Sequence, residues 1–181
     1  IRQQRQWQQD GLQINLSINV SASDITSLIL PETISRLLAD NELDTTTITL
    51  EVTESELMGE LTTSLDVLTR LRLKGVRLSI DDFGTGYSSL LQLFRMPFSE
   101  LKIDQSFVSK MVVDMEALAI VQACILLGEQ FNMRVVAEGV EDLATKELLA
   151  ELGCQVVQGY FIAKPMAAKD LRPWLALQLK P

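Results

Sequence analysis

Six short runs rich in β-branched and aliphatic residues alternate with longer helical patterns along this 181-residue chain. The runs that predict strands are residues 12–20, 47–53, 76–82, 100–104, 133–139 and 154–160. Leucines between them recur at helical spacing, as at Leu61, Leu65 and Leu68. Strands that alternate with helices pair in parallel, because each helix carries the chain back to the same edge of the sheet. The alternation therefore predicts an α/β fold.

Apolar and polar side chains also alternate within the predicted strands. In the first strand, Leu16 and Ile18 alternate with Ser17 and Asn19, so one face is apolar and the other polar. No dinucleotide-binding glycine pattern follows this strand, which favours a (β/α) barrel over a doubly wound sheet. In such a barrel we expect the apolar faces to pack outward on helices and the polar faces to point inward.

Polar side chains end each predicted strand. The inward set near these carboxyl ends is Asn19, Glu51, Asp81, Lys102 and Asp104, and Glu138 and Gln158 end two further strands. Barrel enzymes carry their active sites at this end of the strands. One such residue alone is as well explained by a strand-end cap, but recurrence at six successive strand ends favours a functional site.

The adjacent carboxylates of Asp81 and Asp82 indicate a cation site, because like charges in a cleft repel each other unless cations neutralise them. The chain contains no histidine, and a set of oxygen ligands suits Mg²⁺ or Mn²⁺ rather than zinc. Two such ions, about 3.5 to 4 Å apart, are a common device for phosphodiester hydrolysis. Asp82 has the opposite strand parity to Asp81, and we expect a strand break at Gly84 to turn it inward.

Two further residues carry roles that the residues alone leave open. Lys102 is expected to orient the attacking water or to bind a phosphate, and Glu138 to act as general base or as a ligand of the second metal. The stretch 84–89, GTGYSS, resembles a phosphate-binding loop without its third glycine. We interpret it as a flexible loop beside the site, with Tyr87 and the two serines equally well explained as the start of a helix.

The composition and charge of the chain limit the classes of molecule that it can bind. The formal net charge of −8 and the sequence pI near 4.6 exclude a broad basic surface for a DNA or RNA polymer. With 47% hydrophobic residues, the chain suits one domain over residues 1–181. It has no apolar run of membrane-spanning length and no signal peptide, which predicts a cytoplasmic domain whose parent is free to be membrane-anchored through another domain.

Six motifs together carry a family resemblance. In chain order they are INVSA, LEVTES, DDFGTGYSSL, LKIDQSFV, VVAEGVE and QGYFIAKP. Their order and spacing resemble the EAL domains, the bacterial cyclic di-GMP phosphodiesterases. The resemblance implies a modified TIM (β/α)8 barrel that hydrolyses cyclic di-GMP to linear pGpG with Mg²⁺ or Mn²⁺.

The resemblance also assigns roles residue by residue. It implies metal ligands at Asn19, Glu51, Asp81, Asp82 and Asp104, catalytic roles for Lys102 and Glu138, a loop anchor at Glu54 and a substrate contact at Gln158. It further implies a homodimer formed through the helix after DDFGTGYSSL, and fusion to sensor, receiver or GGDEF domains in the parent protein.

One departure from the family is large. Glu-Ala-Leu within an ExLxR pattern is absent, and in the family its glutamate binds metal and its arginine contacts substrate phosphate. Six predicted strands and 181 residues compare with eight strands and about 250 residues in a typical barrel. We therefore expect a barrel that is incomplete at the N-terminus, truncated before the second family motif, with open sheet edges that a partner copy could close.

Two other functions remain open from the sequence. The first is a non-catalytic EAL-type module that binds cyclic di-GMP or a protein partner. The second is a barrel enzyme that acts on another phosphodiester. Retention of Asp81, Asp82, Lys102 and Glu138 favours an active parent enzyme.

Overall fold

A parallel sheet of six strands organises the fold of the computed structural model, which describes residues 1–58, 61–86, 93 and 95–178. The strands are β1 Leu16–Asn19, β2 Ile48–Thr53, β3 Arg77–Phe83, β4 Glu100–Ile103, β5 Arg134–Ala137 and β6 Val156–Val157. They lie in chain order, and each pairs in parallel with its neighbours. The predicted α/β fold with a parallel sheet is confirmed.

Helices connect the strands. They are α1 Arg2–Gln9, α2 Ala22–Ile25, α3 Leu30–Asp40, α4 Leu61–Leu73, α5 Gln105–Val108, α6 Met115–Gln130, α7 Leu143–Glu151 and α8 Ala168–Gln178. Single 3₁₀ turns cover Thr45–Thr47 and Glu56–Met58. Through the part of the chain that is described, no helix has both the length and the apolar character needed to cross a membrane.

Aspartates begin two of the helices that follow the central strands. Asp114 precedes α6 and accepts hydrogen bonds from the backbone N–H groups of Glu116 and Ala117, at 2.9 and 3.3 Å. Asp142 precedes α7 and accepts one from the N–H of Thr145 at 2.7 Å. These caps satisfy backbone donors that a helix leaves unpaired in its first turn, and so define where each helix starts.

The core lies between one face of the sheet and the helices. Leu50, Val52, Leu78, Ile80, Leu101 and Ile103 are each 1% exposed or less, as are Val67, Leu68 and Leu71 of α4. Burial of each such side chain contributes about 1.5–3 kcal/mol. The leucine spacing of the sequence therefore does place an apolar helix face on the apolar strand face.

The sheet is open along both sides. Among the described strands, β1 pairs with β2 alone and β6 pairs with β5 alone. Both are shorter than their predicted runs, since β6 has 2 residues and β1 has 4. The central strands β4 and β5 also have 4 residues each, so an edge position is not required for a short strand. The result is a half-barrel, and the expectation of an incomplete barrel is confirmed.

Candidate active site

Lys102 is the centre of a charged cluster at the carboxyl ends of the central strands. Its ammonium nitrogen Nζ lies 3.0 Å from Glu51 Oε2, 3.1 Å from Asp81 Oδ1 and 2.6 Å from Glu138 Oε1. Glu51 belongs to β2, Asp81 to β3, and Glu138 follows β5 directly. Lys102 itself is 4% exposed. One buried cation on β4 therefore joins carboxylates from β2, from β3 and from the residue that follows β5.

The charges of this cluster set one another's protonation. Burial by itself lowers the pKa of Lys102, but the hydrogen bonds and charges of Glu138 and Glu51 outweigh burial and raise the pKa overall. Lys102 is therefore a cation at neutral pH. Burial raises the pKa of Glu138, and the charges of Asp81 and Glu51 act in the same direction, while Lys102 opposes them. Of the two residues, Glu138 is the one suited to accept a proton.

A β-bulge brings the second aspartate of the pair into the site. Ile80 pairs with Leu101 and Phe83 with Ile103, so two residues of β3, Asp81 and Asp82, lie opposite Lys102 alone. Asp82 has φ 53°, a left-handed conformation that aspartate tolerates better than most residues. β3 ends at Phe83 and Gly84 has φ 101°, so the expected strand break at Gly84 is present. The side-chain parity changes one step earlier, at the bulge of Asp82.

Asp82 lies in a strongly acidic environment. Burial raises its pKa, and the charges of Asp81 and Asp104 raise it further, while Lys102 lowers it. Asp104 has a second task, since its Oδ1 accepts a hydrogen bond from the N–H of Ser106 at 2.9 Å and so caps α5. Asp104 therefore borders the cluster from a helix start and lies outside the contacts of Lys102.

The carboxylates fit a hard divalent cation. Oxygen atoms of Asp81, Asp82 and Glu138 all lie within 4.8 Å of one another. Three carboxylate oxygens at this separation are a donor set that Mg²⁺, Mn²⁺ or Ca²⁺ accepts, and none of the three residues is a soft ligand. Glu51, Asn19 and Asp104 do not belong to this trio, so the structure brings together part of the expected ligand set.

The two predicted site residues on the edge strands are exposed. Asn19 ends β1, where its register partner is Glu51. Gln158 follows β6, and its backbone N–H donates to the Ala137 carbonyl at 2.8 Å. Its side chain helps to line a cleft of about 380 Å³ that Glu138 also lines. Gln158 therefore lies beside the cluster, although outside its hydrogen bonds.

Glu54 contacts the loop that follows β3. It is 3% exposed, and its Oε2 accepts hydrogen bonds from the N–H groups of Gly84 and Gly86, both at 3.1 Å. A side chain at position 86 would begin 2.8 Å from the Glu54 carboxylate. Contacts of this kind are those of a loop anchor. Tyr87, Ser88 and Ser89 lie outside the described residues.

Sequence reasoning did not single out three residues that line the cleft with Glu138 and Gln158. They are Gln105, Gly139 and Glu141. Gly139 has φ +70°, and a Cβ there would lie 2.5 Å from the Cβ of Gln105. Their positions in the sequence could have identified two of them, because Gln105 and Gly139 each come directly after a polar residue at a predicted strand end.

Comparison with known proteins gives consistent matches. A family model described as EAL domain matches residues 1–165. The bifunctional diguanylate cyclase/cyclic di-GMP phosphodiesterase MucR of Pseudomonas aeruginosa is 43% identical over 171 residues, 94% of this chain and 25% of that protein. The chain thus spans a quarter of the length of this curated relative.

Solved structures agree with the sequence matches. The MucR phosphodiesterase in its c-di-GMP complex superposes with a TM-score of 0.88 at 43% identity, over 94% of this chain and 69% of that one. The EAL domain of Mycobacterium smegmatis DcpA gives 0.92 at 35% identity, over 99% and 82%. A manganese/cy-diGMP complex of Klebsiella pneumoniae BlrP1 gives 0.83 at 29% identity, over 92% and 43%.

The fold, the motifs and the matches lead to one family. The half-barrel of parallel strands carries Glu51, Asp81, Lys102 and Glu138 near the carboxyl ends of β2 to β5. The family match covers residues 1–165, which is most of the described chain. The chain belongs to the EAL domain family.

Proposed function

We propose that this domain serves the metal-dependent hydrolysis of cyclic di-GMP to linear pGpG. The observation that carries the proposal is the cluster in which Lys102 contacts Glu51, Asp81 and Glu138, with Asp82 beside it. The substrate is supported by relatives that are named as cyclic di-GMP phosphodiesterases, among them MucR at 43% identity and RocR at 41%.

The ligand set proposed for Mg²⁺ or Mn²⁺ starts from Asp81 and Asp82, whose carboxylate oxygens lie within 4.8 Å of each other and of an oxygen of the proposed base Glu138. Glu51, Asn19 and Asp104 complete the proposal for two ions, with Glu51 next to Asp81 and Asp104 next to Asp82. Bound divalent cations would polarise a phosphoryl oxygen and make a water more acidic. The manganese and calcium complexes of BlrP1 support a divalent cation at this site, and the manganese complex supports Mn²⁺ in particular.

Two residues of the cluster have separate tasks in the proposal. Lys102 is cationic, so it holds the carboxylates in place and offers N–H donors to an attacking water or to a phosphate oxygen. Glu138 has a raised pKa because it is buried near other carboxylates, so it accepts the proton of that water as general base. The ion pair between them, at 2.6 Å, orients the Glu138 carboxylate.

The surroundings of the cluster suit a nucleotide. The cleft lined by Glu138, Gly139 and Gln158 holds about 380 Å³ next to the proposed base, and Gln158 offers an amide to a guanine edge. Glu54 anchors the loop after β3 through Gly84 and Gly86.

The whole protein is proposed to be a larger cytoplasmic signalling protein. The relatives are longer than this chain, which spans 25% of MucR and 22% of the oxygen sensor protein DosP of Escherichia coli. The family resemblance suggests fusion to a sensor, receiver or GGDEF domain, and the greater length of these relatives supports that proposal. Homodimer formation is proposed from the resemblance alone, because the segment after DDFGTG that would form it lies mostly outside the described residues.

A second function, binding of cyclic di-GMP without turnover, is favoured by one observation. The chain lacks the ExLxR pattern, and its one Glu-Ala-Leu tripeptide, residues 116–118, opens α6. Glu116 is exposed there and is not among the carboxylates that contact Lys102. A site that needs the ExLxR glutamate from this chain would therefore bind nucleotide and fail to hydrolyse it.

The test is to incubate the chain with cyclic di-GMP and Mg²⁺ or Mn²⁺, with Ca²⁺ as a control, and to separate the products by chromatography. We expect pGpG from the wild type. Glu138→Gln should bind the nucleotide and yield no pGpG. In Asp81→Asn, the rate of pGpG formation should no longer depend on the Mg²⁺ concentration. Glu147→Gln, an exposed glutamate on α7, is the matched control and should retain full turnover. If the wild type binds the nucleotide and yields no pGpG, the proposed hydrolysis is contradicted and the non-catalytic binding function is supported.

A further inference from the structure

We propose that Ser79 is a positioning residue of the cation site, whose hydroxyl orients the carboxylate of Glu51. This inference rests on the proposed function, because it takes Glu51 to be part of the metal-binding carboxylates. Ser79 does not belong to any of the six family motifs, and neither its spacing nor its residue type singled it out in the sequence.

The Ser79 hydroxyl is buried and unpaired. Ser79 is 0% exposed, and within the described chain its Oγ has no hydrogen-bond partner. Nearly all buried hydroxyl groups in folded proteins do have one. Ser99 shows the usual outcome one strand away, since its Oγ donates to the Leu78 carbonyl at 3.2 Å and accepts from the Leu78 N–H at 3.3 Å.

The strand register places this hydroxyl next to a carboxylate of the site. Ser79 of β3 is the register partner of Glu51 of β2, and neighbouring strands lie about 4.8 Å apart. Asp81 follows Ser79 by two residues on the same strand, so both side chains lie on one face. Ser79 therefore lies directly beside Glu51 and one step below Asp81.

Glu51 has room for a second donor. Among the described residues, Lys102 is the group that donates to its carboxylate, through Oε2 at 3.0 Å. Lys102 also contacts Asp81 and Glu138, so its hold on Glu51 is shared among three acids. In the proposal, the Ser79 O–H turns towards the neighbouring Glu51 carboxylate and fixes it even when a cation draws the other acids away from Lys102.

Groups that hydrogen-bond to metal ligands affect metal affinity strongly, and loss of one typically costs about 10- to 100-fold. We therefore expect Ser79→Ala to weaken Mn²⁺ binding by about 10- to 100-fold. If Ser79 acted only in core packing, the substitution would change the free energy of unfolding and leave the Mn²⁺ affinity unchanged.

The experiment measures Mn²⁺ affinity of the full chain by calorimetry or by electron paramagnetic resonance, without nucleotide. Ser99→Ala is the matched control, since its hydroxyl bonds only to backbone, and it should bind Mn²⁺ like the wild type. The pair Ser79→Thr and Ser79→Val adds a comparison of two side chains with the same shape, and serves where the alanine variant does not fold. We expect the threonine variant to bind about 10-fold or more tightly than the valine variant.

The outcomes separate this inference from the proposed function. Equal Mn²⁺ affinity of the wild type and Ser79→Ala, or of the threonine and valine variants, overturns the role of Ser79 and leaves phosphodiesterase activity untouched. A wild type that binds Mn²⁺ and yields no pGpG overturns the proposed activity, while the Ser79 comparison still decides the positioning role. A wild type that does not bind Mn²⁺ overturns both.

Discussion

The central strands and the edge strands treat the same kind of residue in opposite ways. On β2, β3 and β4, the site residues Glu51, Asp81 and Lys102 are 8% exposed or less. On the edges, Asn19 of β1 and Gln158 after β6 are exposed. All five are polar residues at or near a strand end. The three buried residues belong to strands with neighbours on both sides, whereas the two exposed residues lie at strands with one neighbour in the described sheet.

Burial of charge in the centre is affordable because the charges are paired. Removing a carboxylate from water costs several kcal/mol unless a counter-charge is close, and Lys102 is within 3.1 Å of three acids. Asn19 and Gln158 need no such partner, since water solvates their amides. The centre therefore depends on one residue, and the edges depend on none.

The largest effect is expected from removal of that one residue. Lys102→Ala leaves three carboxylates without their cation, and we expect the free energy of unfolding to fall by about 3–5 kcal/mol. Urea denaturation at neutral pH, in the presence of a chelator, measures the change. Lys74→Ala is the control, because Lys74 pairs with a largely exposed Glu32 at 3.0 Å, and its loss should cost less than about 1 kcal/mol. Equal losses for the two variants would contradict the contrast between buried and surface pairs.

An intermediate effect is expected from pH. Burial and the charges of Asp81 and Asp104 raise the pKa of Asp82, so at pH values between its unfolded and folded pKa the folded state binds more protons than the unfolded state. Stability from this group is therefore present at low pH and is lost as pH rises through the raised pKa. In chelator, Asp82→Asn should remove this part of the pH dependence, as followed by urea denaturation from pH 3.5 upward.

Asp142, at the start of the helix that leads to the edge strand β6, provides the opposite sign. Hydrogen bonds from Thr145 lower the pKa of Asp142, so its contribution is present above its unfolded pKa and is lost as pH falls through the lowered value. Asp142→Asn should therefore flatten the acid side of the stability profile. The same slope change in both variants would show that the two aspartates are not in different environments.

The smallest effects are expected at the edges. Asn19→Ala and Gln158→Ala should each change the free energy of unfolding by less than about 0.5 kcal/mol, as is usual for exposed positions. Thermal or urea unfolding gives the values. A loss above about 2 kcal/mol would mean that these edges are covered in solution, and light scattering would then show whether a second copy covers them.

Much of the fold was predictable because it depends on local patterns. All six observed strands lie within predicted runs, apart from Phe83 at the end of β3, since alternating apolar residues and helical leucine spacing mark strands and helices directly. The short lengths of β1 and β6 were not predictable. Their runs look like those of the other strands, and the length over which two strands stay paired depends on tertiary contacts: β5, with two neighbours, is as short as β1.

The candidate site was predictable in composition and less so in geometry. The types and positions of Glu51, Asp81, Lys102 and Glu138 follow from strand-end polarity and from motif order. The route by which Asp82 enters the site was not, because a β-bulge depends on how two strands slip against each other. Ser79 was missed for a similar reason, since an unpaired hydroxyl is visible only when its surroundings are known.

The sequence by itself determined the order of strands and helices, the apolar faces that form the core, and the family, because spacing and motif order are properties of the chain. Only the tertiary structure decided that Lys102 is the common partner of three acids, and that Asp82 reaches them because its own backbone is left-handed. It also decided that the amides of Asn19 and Gln158 at the sheet edges stay in solvent. These outcomes depend on which strands are neighbours and in what register, and on the energetic need of buried charges for partners.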